Sequence, residues 1–402
     1  MFFLKAAYCR IFQGAFRLAL PVLPYREPEI IRSCDGLIPV MEKEEILCPL
    51  IVTDAGIVAN GLVTPLTELL EKQGFHYGIY DRTRANPTKD NVEEALKQYH
   101  ELGCDSLIAI GGGSSMDCAK AVGARVAYPK KTLDQLGGIL RVLRKLPILI
   151  AIPTTAGTGS ETTLAAVVTD APRKYAMMSF PLIPRYALLD GKLTCSLPPK
   201  LTATTGMDAL THAVEAFIGR STTKQTEQLA LEATKLVFSN LKTAYSDGRN
   251  LPARENMLLA AYKAGIAFSK SYVGYVHAVA HSLGGKYDTP HGLANAVILP
   301  YVLERYGSCV HRKLYKLGLA AGVCSQKDDI STGAEKFIRA VWELNEALSI
   351  PKKLPGIQKA DIEALARHAE KEANPLYPVP KLMTRKELEE IYFDIADWSE
   401  QA

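Results

Sequence analysis

Three short apolar runs mark the first half of the chain: residues 46–53 (ILCPLIVT), 106–111 (SLIAIG) and 147–153 (PILIAIP). They stop at Asp54, at Gly111 and at Pro153-Thr154-Thr155. A strand covered on one face would alternate apolar and polar positions, so runs apolar throughout suit parallel strands covered on both faces. Between them lie helical patterns at 61–74 (GLVTPLTELLEKQG) and 90–103 (DNVEEALKQYHELG), the second with Asp90 placed to cap its start and Gly103 to close it. The alternation of strand and helix runs to about residue 195 and predicts an open, doubly wound, Rossmann-like α/β domain over residues 1–195.

After LPPKL at 197–201 the strand signals stop. Helix-length stretches rich in Ala, Leu, Glu and Lys follow at 206–218, 224–244, 252–269, 331–348 and 385–399, so residues 196–402 are expected to form an all-helical domain. The sequence has no internal repeat and no long polar linker. Close packing of the two halves around a cleft is therefore expected.

The first 25 residues, MFFLKAAYCRIFQGAFRLALPVLPY, carry Lys5, Arg10 and Arg17, many apolar residues and no acid. Their charge-free runs are too short for a membrane span, and no cleavage site follows a clean apolar core. An amphipathic extension that packs on its own domain is the favoured reading, with docking to another surface as the alternative.

Composition narrows the class of protein. Charged residues at 22% and hydrophobic ones at 48% place the chain among soluble globular proteins. A net charge of +4, with basic and acidic residues interspersed, gives no stripe for nucleic acid. The eight cysteines are scattered without a C-x-x-C pair. That pattern argues for reduced thiols and a cytoplasmic location rather than a disulfide framework.

Two polar loops follow predicted strands. Gly111-Gly112-Gly113-Ser114-Ser115-Met116-Asp117 joins a strand to a helix. Glycines there admit an anion to the backbone, and the helix N-terminus offers free N–H groups to a pyrophosphate. Pro153-Thr154-Thr155-Ala156-Gly157-Thr158-Gly159-Ser160-Glu161 follows the next strand and is packed with hydroxyls and glycines. Two such loops at strand ends of one sheet point to an extended ligand such as a dinucleotide. Asp54, at the end of the first predicted strand, can bond a ribose 2′-hydroxyl and repel a 2′-phosphate, which favours NAD over NADP; its other reading is a helix N-cap.

The chain has eight histidines, yet His277, His281 and His291 fall within fifteen residues and His212 lies four residues after Asp208. An i, i+4 spacing sets a carboxylate and an imidazole on one helix face. A set of one carboxylate and three imidazoles suits Fe²⁺, Zn²⁺ or Mn²⁺, and the lack of a Cys ligand speaks against a closed structural zinc site. His277 and His281 also stand at i, i+4, so spacing leaves open which of them is the ligand.

These motifs carry a resemblance. GGGSSMDCAK at 111–120, IPTTAGTGSE at 152–161, GMDALTHAVEAF at 206–217 and HAVAHSLGGKYDTPHGLANAVILP at 277–300 resemble the iron-containing (type III) alcohol dehydrogenases, relatives by fold of glycerol dehydrogenase and dehydroquinate synthase. The similarity covers about residues 25 to 305. It implies a dehydroquinate synthase-like fold, and metal ligands at Asp208, His212, His277 and His291, with Fe²⁺ the expected ion. His281 would stand beside the nicotinamide as a non-ligand and a candidate to relay the alcohol proton. NAD would be held by Asp54, by Gly111, Gly112, Gly113, Ser114 and Asp117, by Thr154, Thr155 and Thr158, and by Lys174 near the nicotinamide ribose. Asp190-Gly191 departs from the family's usual Asp-Pro at the domain junction. The implied reaction is hydride transfer between a small alcohol or aldehyde and NAD(H) in a homodimer or larger oligomer. A polyol dehydrogenase is the nearest alternative. A dehydroquinate synthase-like lyase is less favoured, because residues 270–300 offer only Lys270 and Lys286 for a phosphorylated acid.

Overall fold

The apolar runs become the centre of a parallel sheet. The computed structural model describes residues 2–19, 23–170 and 173–399, and for residues 2, 3, 19, 173 and 174 the backbone alone. Helix α1 (Phe2–Ala19) comes first. Nine strands follow among the described residues: β1 (Glu29–Ile31), β2 (Pro49–Val52), β3 (Gly78–Tyr80), β4 (Ser106–Gly111), β5 (Gly138–Ile139), β6 (Ile148–Pro153), β7 (Ala165–Asp170), β8 (Arg173–Met178) and β9 (Tyr186–Leu188). Six of them form a sheet in the order β1-β9-β6-β4-β2-β3, every pairing parallel. A second sheet, β5-β8-β7, includes the antiparallel ribbon β7–β8, which carries no clear sequence signal.

The pleat explains the unbroken apolar runs. Leu107 and Ala109 of β4, Leu50 and Val52 of β2, and Leu149 and Ala151 of β6 lie in one core cluster. Their neighbours Ile108, Ile110, Ile51, Ile150 and Ile152 lie in another. Successive side chains point to opposite faces, so two covered faces require apolar residues at every position. Helices α2 (Leu37–Lys43), α3 (Ala55–Ala59), α4 (Thr64–Lys72), α5 (Lys89–Glu101), α6 (Gly113–Ala127) and α7 (Leu133–Leu136) complete this part of the chain.

Two predicted boundaries move. The strand expected from residue 46 starts at Pro49, because the Asp105 carboxylate accepts from the backbone N–H groups of Leu47 and Cys48 and holds them outside the ladder. The helix expected to be capped by Asp90 is capped by Thr88, in a reciprocal pair with Asn91.

From Pro198 the chain is helical. The helices are α8 (Pro199–Ile218), α9 (Lys224–Ser246), α10 (Leu251–Ser271), α11 (Tyr275–Tyr287), α12 (His291–Tyr306), α13 (His311–Ala321), α14 (Ile330–Ala347), α15 (Ile362–Ala373) and α16 (Arg385–Ile395). No strand occurs among the described residues here; Leu354 and Ala396 form an isolated bridge. Pro199 occupies the first turn of α8, where its missing N–H would have had no intrahelical partner. Gly206 permits the close approach of α9, since a Cβ there would overlap Leu241.

The chain divides into two compact units, Pro24–Leu197 and Pro198–Ala402, the latter joined by Met1–Leu23. The N-terminal extension therefore belongs to the helical unit and not to the α/β domain in which residues 1–195 had placed it. The cause is a set of polar contacts. Lys5 pairs with Glu370, Arg10 donates to the carbonyls of Val379 and Pro380, and Gln13 donates to those of Pro375 and Tyr377.

Candidate metal centre and nucleotide loops

Three helices of the helical unit bring four predicted residues together. Asp208 and His212 lie one turn apart on α8, His277 lies in the first turn of α11, and His291 opens α12. One donor atom from each falls within 4.8 Å of the others. His291 Nε2 is 3.5 Å and His277 Nε2 is 3.9 Å from Asp208 Oδ1. Ligands bound at about 2.1 Å to a tetrahedral ion stand roughly 3.4 Å apart, so small side-chain shifts would close the set on a cation.

The surroundings favour the ligand forms of these groups. Desolvation, followed by the neighbouring histidines, holds His277 well below its usual pKa. Desolvation also lowers His291 against the pull of Asp208, although 41% of its side chain is exposed. Neutral imidazoles present lone pairs, and here they converge on the Asp208 carboxylate. The Asn295 amide nitrogen sits among them, 2.7 Å from Asp208 Oδ1, 3.0 Å from His291 Nε2 and 3.2 Å from His277 Nε2. The donor set thus fits a divalent ion.

Two carboxylates orient the rings, Glu215 buried and Glu372 half-buried, and neither is singled out by the sequence patterns. Glu215 accepts from His277 Nδ1 at 2.6 Å and from the backbone N–H groups of Gly274 and Val276 at 2.8 Å. Burial pushes its carboxyl up to about 7, with those N–H groups opposing. Bonding at Nδ1 turns Nε2 of His277 to the centre. A signal existed: Glu215 stands seven residues after Asp208 and three after His212, on the same face of the helix. Glu372 accepts from His281 Nδ1 at 2.6 Å and from Tyr377 at 2.7 Å. Partial desolvation works against the His281 cation, yet Glu372 carries its pKa above the usual value. No local pattern announces Glu372, which is 91 residues from its partner.

His281 lies apart from the four-residue set and stacks on His291 with ring centroids 5.2 Å apart. Its side chain is 40% exposed.

In the α/β unit the two polar loops lie against each other. Gly111 pairs with Pro153, and Thr154 N donates to Gly111 O at 3.0 Å. A Cβ on Gly112 would touch Thr155, and one on Gly113 would press on Thr158. Gly111 has φ +146, a conformation that favours glycine. Helix α6 starts at Gly113 with no side-chain cap on its first N–H groups, which leaves a cradle suited to phosphate oxygens. Thr155 and Thr158 are half-buried, whereas Thr154 is buried. Ser114 Oγ accepts from Asn86 N.

Asp54 caps α3: its Oδ1 accepts from Gly56 and Ile57, while Oδ2 has a 3.5 Å contact with Ser115 Oγ. The capping reading therefore holds, and Oδ2 faces the glycine turn. Asp117 is spent inside the protein, accepting from Ser160 Oγ and Val167 N at 3.0 Å. It braces the loop. Lys174 lies in β8, and its side chain is outside the described residues. Asp190 caps the short turn Gly191–Thr194 by accepting from Lys192 N, which accounts for the junction without a proline.

Comparison with known proteins agrees with this architecture. A family model described as iron-containing alcohol dehydrogenase matches residues 33–191. One described as Fe-containing alcohol dehydrogenase family, C-terminal, matches residues 202–396. The 1,3-propanediol dehydrogenase of Citrobacter freundii is 37% identical over 351 residues, 85% of this chain and 90% of that protein. The lactaldehyde reductase of Escherichia coli K12 is 37% identical over 325 residues, 80% of this chain and 85% of its own length. A crystal structure of a 1,3-propanediol oxidoreductase superposes with TM-score 0.88 at 34% identity, covering 92% of this chain and 98% of that one. The sulfoacetaldehyde reductase of Bifidobacterium kashiwanohense in complex with NAD+ gives TM-score 0.82 at 27% identity, over 93% and 99%. With both halves matched by the family's models and relatives of this identity aligned along most of their length, the chain belongs to the iron-containing alcohol dehydrogenase family.

Proposed function

We propose that this oxidoreductase holds its divalent metal through Asp208, His212, His277 and His291, and NAD(H) through Asp54, the turn 111–114, the threonines at 154, 155 and 158, and Lys174. The observation that carries the reading is the convergence of four donor atoms within 4.8 Å, with Glu215 bonded behind His277. When bound, the metal supplies Lewis acidity toward an alcohol or carbonyl oxygen and NAD(H) supplies the hydride chemistry. The chain supplies the rest. Glu215 fixes the His277 ring, Asn295 steadies Asp208, and Glu372 holds the proton at His281 Nδ1, leaving Nε2 to exchange the proton of the alcohol.

Iron is the expected ion from the family, although three imidazoles and a carboxylate also suit zinc and manganese. The relatives' names make 1,3-propanediol and lactaldehyde the first substrates to test, which keeps a diol dehydrogenase as the second reading. The lyase alternative loses support, since Lys270 is bonded to Gln225 and Lys286 is paired with Asp361. A cytoplasmic location belongs to the same proposal and is supported by eight free cysteines. No helix among the described residues is long and apolar enough to cross a membrane. An oligomer, or docking through α1, is supported by the exposed Leu4, Tyr8, Ile11 and Leu18 on that helix. The test is metal analysis of the purified protein, followed by turnover of short alcohols, diols and aldehydes with NAD(H) and NADP(H). Absence of a bound transition metal from active protein would defeat the proposal.

A further inference from the structure

Lys120 lies about two turns into α6 and has no exposure to solvent. An ammonium survives there only when its donors are satisfied. Its Nζ donates to the carbonyl oxygens of Ser160, Thr163 and Ala165 at 2.7, 3.1 and 2.9 Å. It also donates to the hydroxyls of Ser160 and Thr163 at 3.0 and 2.8 Å. All five acceptors belong to one segment, which directly follows the turn at Gly157 and Gly159.

Asp117, one turn earlier on α6, accepts from the Ser160 hydroxyl and lies 4.0 Å from Lys120 Nζ. Burial lowers the Lys120 pKa to about 8, with Asp117 and Glu161 opposing. At neutral pH the group is therefore an ammonium with three donors for five oxygens. The helix whose N-terminus opens on the 111–114 turn is thereby tied to the loop that carries Thr154, Thr155 and Thr158.

We infer that Lys120 is a positioning residue for NAD, holding the hydroxyl loop against the start of α6 so that both loops are ordered before the dinucleotide arrives. Two glycines make the loop loose by composition, and ordering it at the moment of binding would subtract from affinity. The inference rests on the proposal that these two loops hold NAD. Lys120 itself touches no ligand in this scheme.

The test compares Lys120→Met, Lys120→Gln and Thr155→Val with the unaltered protein, reading NAD+ affinity by calorimetry beside steady-state kinetics and thermal melting. Loss of the Lys120 bonds should raise the Kd and KM for NAD+ by roughly tenfold or more. The kcat at saturating NAD+ should stay within about threefold and the KM for alcohol should not move, a split that general unfolding would not give. Gln, which keeps two donors on a shorter arm, should lose less than Met. If Met abolishes folding, Lys120→Gln and Ser160→Ala decide. Unchanged NAD+ affinity in the folded Lys120 variants, while Thr155→Val weakens it, overturns the inference. Unchanged affinity in Thr155→Val as well would defeat the loop assignment beneath it.

Discussion

Glu215 Oε2 lies 2.6 Å from His277 Nδ1, and this single contact turns the other nitrogen of the ring toward Asp208. A carboxylate behind a ligating imidazole sets its tautomer and raises its basicity. Glu215→Gln should therefore lower metal affinity by roughly ten- to a hundredfold without moving any of the four donors. Competition with a metal-binding dye measures this. Affinity equal to that of the unaltered protein would mean that the contact serves folding alone.

Asp54 has two duties, and glycine separates them. As an N-cap, glycine costs only a few tenths of a kcal/mol relative to aspartate, so Asp54→Gly should melt almost unchanged. Its Oδ1 is already used on Gly56 and Ile57, which leaves Oδ2 to meet a ribose. Removing the charge should improve the KM for NADP relative to NAD by roughly tenfold. A preference for NADP in the unaltered protein would contradict the assignment.

Deleting residues 1–23 removes the bonds of Lys5, Arg10 and Gln13 to the helical unit together with the buried side chain of Cys9. A loss of about 2 kcal/mol corresponds to a fall of roughly 4–8 °C in Tm for a unit of this size. Differential scanning calorimetry gives the value. An unchanged melting temperature would show that α1 rests on the protein without supporting it.

Burial pushes Glu161 up to about 7, against an ordinary value of 4.5. The folded state then binds the proton more tightly than the unfolded one. The stability this contributes is complete below about pH 4.5 and is lost as pH rises through 7. Relative to Glu161→Gln, the unaltered protein should lose up to about 3 kcal/mol between pH 5 and pH 8. Paired thermal melts at the two pH values test it, and a difference between the two proteins that does not vary with pH would contradict it.

The reading of the sequence succeeded where the pattern is local. The i, i+4 step from Asp208 to His212 survives in α8, and the buried strands β4 and β6 match their apolar runs closely. It failed where the deciding partner is distant. His277 and His281 are equivalent by spacing, and they are told apart by Glu215 and Glu372, which are 62 and 91 residues away from them. The home of α1 was illegible for the same reason, because its acceptors lie at residues 370–380. The first residues of the strand expected from residue 46 are held outside the ladder by Asp105, a side-chain competitor that no periodicity encodes.

Metal bound per chain in His277→Ala and His281→Ala, measured on the purified proteins, tests the four-ligand centre most directly. Removing His277 takes away one of four converging donors, while the apolar contacts of the surrounding helices remain. Bound metal should therefore fall well below one per chain while the fold, read by circular dichroism, persists. Removing His281, which lies outside the set and is engaged with Glu372, should leave the metal in place and alter turnover. Retention of metal by His277→Ala with its loss from His281→Ala would show that the wrong histidine was assigned, and retention by both would contradict the metal centre itself.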